Sequence, residues 1–145
     1  MTAKKRKAMV FGTFDFLHIG HLSLFRQAKQ KADQLLVVIA RTNTVQKIKG
    51  KKPIFSEKDR VELVKSIRLV DQAELGHDYF RDKTEIILEH QPDLILLGYD
   101  QKTDLKNLQK ELAKKGWTGN IERAKPAHQN RAKTSKIRLK IEQSI

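Results

Sequence analysis

His18 and His21 lie three residues apart around Gly20 in the segment GTFDFLHIGH, residues 12–21. About one helical turn separates such positions, so both imidazoles can face the same side. Their N–H groups can there donate to a phosphoryl group whose charge builds in a transition state. Gly12 closes a short apolar run, and a glycine at a strand end lets a phosphate approach the backbone. A helix opening near Gly20 adds free N–H groups and the positive end of its dipole. Asp15 can orient an imidazole or reach a magnesium ion held by phosphates. Paired histidines at turn spacing around a glycine, just after a strand, point to phosphoryl chemistry rather than to isolated packing residues.

The elements that must position these residues follow from the apolar pattern. Residues 8–11, 35–40 and 94–97 are apolar runs consistent with buried strands, with 69–75 and 120–123 as further strand candidates. Leu22, Phe25, Ala28 and Ala32 recur at helical spacing, which predicts a helix over 20–32. Ser56 can cap a helix carrying Val61, Val64 and Ile67. Phe80, Thr84, Ile87 and Leu88 mark a helix ended by Pro92, and Leu105, Leu108 and Leu112 one closed by Gly116. Ile137, Ile141 and Ile145 suggest a last helix, whereas 42–53, polar and basic around Gly50, read as a mobile loop. Strands alternating with helices, most strands apolar throughout, predict a Rossmann-like α/β fold: a parallel sheet covered on both faces. Ligands of such sheets bind beyond the carboxyl ends of the strands, where strand order reverses.

A chain of 145 residues is one domain's worth, read here as 1–145 with a basic, disordered N-terminus over 1–7. With no cysteine, disulfides and thiolate metal sites are excluded. The longest apolar run is far too short to span a bilayer, and the basic start lacks the apolar stretch of a secretory signal, so a cytoplasmic protein is expected. The net charge of +13 favours anionic partners. Aromatics at 6% leave few stacking platforms for nucleic acid, so polyphosphate is the anion to expect. Lys47 and Lys49 can close over it, and Asp100, following the fourth strand, can accept bonds from a ribose or base.

GTFDFLHIGH resembles the signature of the cytidylyltransferase-like nucleotidyltransferases, and HIGH is also the motif of the class I aminoacyl-tRNA synthetases, which need a far longer chain. Further segments are similar to the archaeal-type FAD synthases: Ala40-Arg41, KGKKP at 49–53, EKDRVELV at 57–64, PDLILLGYDQ at 92–101 and KTSKI at 133–137. Glycerol-3-phosphate cytidylyltransferases share this framework. The resemblance implies His18 and His21 as catalytic residues. It implies nucleotide binding by Gly12, Thr13, Phe14, Asp15, His18, Ile19, Gly20 and His21, by Asp100, and by Thr134, Ser135 and Lys136 at the last helix start. Lys47 and Arg60 would bind phosphate, and Mg2+ would be held mainly through the nucleotide rather than by a protein ligand set.

Three positions depart from the family pattern. Thr42 stands where many relatives carry an acid, Gln101 where cytidylyltransferases usually have Trp, and KTSKI replaces a longer Arg-Thr-x-Gly-Ile-Ser-Thr-Thr segment. The last two of these departures favour ATP over CTP. The reaction implied is transfer of AMP from ATP to FMN by in-line displacement. CTP with glycerol 3-phosphate or another phosphorylated alcohol is the alternative, and a basic nucleic-acid-binding module the more distant one. Relatives of this kind are commonly dimers, so a homodimer is an assembly to test.

Overall fold

A computed structural model describes residues 4–127 and 134–144 of the chain. Five strands, β1 (Lys7–Gly12), β2 (Gln34–Ile39), β3 (Gln72–Leu75), β4 (Leu94–Leu97) and β5 (Asn120–Arg123), form one sheet in the order β3-β2-β1-β4-β5. Every pairing is parallel. Among the described residues six helices join or follow them: α1 (Ile19–Lys31), α2 (Thr42–Lys49), α3 (Glu57–Lys65), α4 (Glu85–His90), α5 (Leu105–Lys114) and α6 (Thr134–Ser144).

The central strands are apolar throughout because both sheet faces are covered, and alternate residues divide between two cores. Ala8, Val10, Leu35, Val37, Ile39, Leu94 and Leu96 pack with Phe25 and Ala28 of α1 and Val64 of α3. Met9, Leu36, Val38, Ile95 and Leu97 pack on the other face with Ile86 and Ile87 of α4, Leu112 of α5 and Trp117. Trp117 donates its indole N–H to the Pro92 carbonyl at 2.8 Å, so its burial leaves no polar group unmet.

Several boundaries differ from the sequence expectation. Lys7 belongs to β1, and the Arg6 carbonyl accepts bonds from the N–H groups of Asp33 and Gln34, so Arg6 and Lys7 are tied to the start of β2. The strand expected over 69–75 begins only at Gln72, and the helix expected from Phe80 begins at Glu85. Residues 42–49, expected as loop, form α2. Its buried Val45 anchors it, and Gly50 ends it in the left-handed region at φ 74°. Ser56 caps α3 as expected, accepting from Asp59 N–H at 3.1 Å.

Successive strands β1, β2 and β3 step one way across the sheet, and β4 then returns to the other side of β1. The reversal lies between β1 and β4, where a crevice opens at the carboxyl ends. The ladder between these strands comprises Ala8–Leu94 and Met9–Ile95, after which they diverge. Gln101 bridges the gap, its amide donating to the Phe11 carbonyl at 3.1 Å and its carbonyl accepting from Gly98 N–H at 2.6 Å.

Candidate active site

The loop between β1 and α1 crosses this crevice. Phe14 takes φ 52°, a left-handed conformation uncommon for a bulky residue. The turn folds its ring back over Gly12, where an added Cβ would sit 2.7 Å from the ring edge. The absence of a side chain at Gly12 thus makes room for the Phe14 ring. Phe14 itself is buried, edge-on to His21 at 5.1 Å and against Phe25 at 5.5 Å. It supports the site from below.

His18 is the N-cap of α1, with Ile19, Gly20 and His21 forming its first turn. Its Nδ1 accepts the Gly20 N–H at 3.1 Å, and the His18 N–H donates to His21 Nδ1 at 3.3 Å. The imidazoles stack with centroids 3.8 Å apart. Since each Nδ1 is an acceptor, the neutral rings carry their protons on Nε2. Burial lowers the His18 pKa, with the nearby Asp100 charge opposing, and burial with the His18 neighbour pushes His21 down to about 3. Both side chains are therefore neutral donors near pH 7, aligned by the helix start itself.

The His21 shift has a consequence for stability. Between pH 6.5 and about 3 the unfolded chain binds more protons at this position than the folded one, so stability rises with pH across that window. Melting temperature should therefore fall as pH drops from 6.5 towards 4, and less so in His21→Asn. Parallel curves for the two proteins would count against a neutral, half-buried His21.

Asp15 and Arg60 have other duties than those expected. Asp15, 4% exposed, accepts the N–H groups of Ile54 and Phe55 at 2.8 and 2.9 Å and the Arg138 guanidinium at 2.6 Å. Burial alone would raise its pKa, but these donors outweigh it and hold the carboxyl below its ordinary value. It ties the chain before α3, and α6 through Arg138, to the histidine loop, and is bonded to neither imidazole. Arg60, expected to bind phosphate, is 0% exposed. Its guanidinium donates to the carbonyls of Phe55, Thr13 and Ala40 and to Thr42 Oγ1. It is a staple beneath the loop, with Asp15 nearby as compensating charge. Thr42, noted as a departure in the sequence, is one of its partners.

The basic residues of α2 divide. Lys49 Nζ reaches Thr13 Oγ1 at 3.2 Å, so it stands over the loop. Lys47 instead lies over the rings of Phe80 and Tyr79, at 4.7 and 5.6 Å from their centroids. Asp100 follows β4 on the opposite side of the crevice, its charge felt by His18. Thr134 opens α6 and Lys136 is exposed on it; the side chains of Thr134 and Ser135 lie outside the described residues. Arg138 and Arg123 carried no sequence signal. Arg123 binds the carbonyls of Gly98, Gln101 and Thr103, fixing the turn that carries Asp100.

The chain matches the cytidylyltransferase-like family over residues 9–140. It is 40% identical over 139 residues to an FAD synthase of Thermoplasma acidophilum, covering 96% of both chains. The protein belongs to the cytidylyltransferase-like family. An FAD synthase of Thermococcus sibiricus is 39% identical over 143 residues, covering 97% of this chain and 96% of that one. A crystal structure described as a lipopolysaccharide core biosynthesis protein from Thermoplasma volcanium superposes with a TM-score of 0.81 at 40% identity, over 86% of this chain and 99% of that one. A pantoate-beta-alanine ligase from Francisella tularensis shares the fold alone, with a TM-score of 0.65 at 13% identity, over 96% of this chain and 67% of its own.

As a cytidylyltransferase-like protein the chain is a nucleotidyltransferase with nucleotide substrates. Among the described residues, His77, Glu85 and Glu89 are the side chains grouped closely enough to hold a metal ion, and Arg81 already pairs with both glutamates. Among the same residues, no helix is long and apolar enough to cross a membrane.

Proposed function

We propose that this protein transfers the adenylyl group of ATP to the phosphate of FMN, forming FAD and pyrophosphate. The observation that carries this reading is the pair of neutral, stacked imidazoles with Nε2–H donors at the start of α1, in a chain about 40% identical to FAD synthases over nearly its whole length. An FMN phosphate oxygen attacks the α-phosphorus, and the bond from that phosphorus to the bridging oxygen breaks. The electron pair leaves with pyrophosphate. No protein nucleophile is required, so the protein contributes positioning and charge stabilisation. His18 and His21 donate to the phosphoryl oxygens more strongly as charge develops in the transition state. The α1 N-terminus and Lys49 neutralise the triphosphate, and Lys136 adds charge from α6.

Magnesium fits as a companion of the nucleotide. Asp15 is committed to Ile54, Phe55 and Arg138, so the nucleotide's own phosphates would hold the ion. When bound it supplies neutralisation of the leaving pyrophosphate. Asp100 is assigned to the ribose side of the nucleotide, where the turn fixed by Arg123 and Gln101 presents it.

The test is pyrophosphate release from ATP or CTP against FMN or glycerol 3-phosphate, with magnesium. ATP with FMN should exceed CTP with FMN at least about tenfold, roughly 1.4 kcal/mol of discrimination. Equal or faster turnover with CTP would overturn the nucleotide assignment. Turnover confined to glycerol 3-phosphate would replace the acceptor.

A further inference from the structure

Tyr79 and Phe80 are large aromatic side chains held in the open. Phe80 is 79% exposed and Tyr79 39%, and their rings meet edge to face at 5.3 Å. The loop bearing them, between β3 and α4, is braced at both ends. Before the rings, the Gly76 carbonyl accepts from Arg41 Nε at 2.8 Å, and His77 Nε2 meets Glu89 at 2.8 Å. After them, Arg81 binds Glu85 at 2.8 Å through Nε, and Asp82 is bonded to Thr84 and Lys115. Exposed single apolar residues are ordinary, but two rings on a braced loop form a surface that a flat ligand would cover.

The position of this surface says which ligand. β3 ends at the carboxyl edge two strands from β1, roughly 10 Å from the histidine loop at the usual strand spacing. It lies on the side opposite β4 and Asp100. Lys47 reaches from α2 over the two rings, 4.7 Å from the Phe80 centroid, so a flat ligand stacking on Phe80 takes the ammonium's place on that face and receives it at its rim. A planar ring system stacked on the exposed Phe80, with carbonyl oxygens at its own edge, would meet Tyr79 alongside and a hydrogen-bond donor in Lys47. FMN has such a ring system, joined to its phosphate by an extended sugar-alcohol chain.

We propose that Phe80 and Tyr79, with Lys47, dock the isoalloxazine ring of the acceptor FMN, so that its phosphate reaches the histidine site. This rests on the adenylyl-transfer reading and names the residues that select its acceptor. Lys47 is thereby a flavin contact, and Lys49 the lysine of α2 that serves the phosphates.

The experiment compares wild type, Phe80→Ala and Phe80→Tyr, each as the full chain with its melting temperature recorded. Phe80→Ala should raise the FMN Kd and KM about tenfold, the loss of one good aromatic stack, while ATP KM stays within roughly twofold. Phe80→Tyr should restore the FMN values. Unchanged FMN constants in Phe80→Ala would overturn the platform while leaving adenylyl transfer intact, and a rise in ATP KM instead would assign the rings to adenine. A wild type that makes no FAD would sink the adenylyl-transfer reading. FMN binding alone then decides the platform, and failure of wild type to bind FMN would overturn it too.

Discussion

Replacing either histidine by alanine should lower kcat on the order of 10²–10³-fold, with a much smaller change in nucleotide affinity. The geometry explains why the loss falls on turnover. Each ring is neutral, has its Nδ1 occupied by a backbone N–H, and offers only Nε2–H to the crevice. A donor of this kind gains most as charge develops on the phosphoryl oxygens. His18→Asn is the informative variant, because asparagine is also a good helix N-cap and keeps an N–H donor. It should recover part of the rate lost in His18→Ala. If both alanine variants keep turnover within about threefold of wild type with the fold intact, the histidines only cap the helix and the mechanism is wrong.

Arg60→Ala should produce the largest loss of stability. It removes a guanidinium that satisfies three carbonyls and one hydroxyl, and leaves those buried acceptors unpaired. Breaking a buried charged network of this kind costs about 3–5 kcal/mol, which lowers Tm by roughly 10 °C in a chain of this size. Arg60→Lys should restore little, since one ammonium cannot span the carbonyls of Thr13, Ala40 and Phe55. A fall in Tm of less than about 3 °C for Arg60→Ala would show that the staple is dispensable.

Much of the architecture was legible because it is written in local apolar patterns. Residues 35–40 and 94–97 read as buried strands, and β2 and β4 fill both cores from alternate residues. The glycine and paired histidines marked the crevice, since a strand end and a helix start are local features too. What was hidden depends on polar contacts across long stretches of chain. Arg60 meets Thr13 over a separation of 47 residues and Arg138 meets Asp15 over 123, and no periodicity encodes either. The chemistry of a guanidinium is the same whether it binds a phosphate or a set of carbonyls, so burial had to decide for Arg60. α2 was missed because Val45 is its only buried residue and, apart from the exposed Ile48, the rest of its surface is polar. Gly50 as a left-handed stop was the available clue. The packing of the Phe14 ring over Gly12 was hidden for a related reason: it depends on a left-handed turn at Phe14 that no pattern announces.

The most direct test of the central claim follows the α-phosphorus of ATP. Enzyme mixed with magnesium, FMN and ATP labelled at that phosphorus should place the label in FAD, with pyrophosphate unlabelled and no labelled protein at any time during a single turnover. His21→Ala should slow appearance of the labelled flavin on the order of 10²–10³-fold. Label that never enters a flavin, or that first accumulates covalently on the protein, would contradict direct adenylyl transfer to FMN.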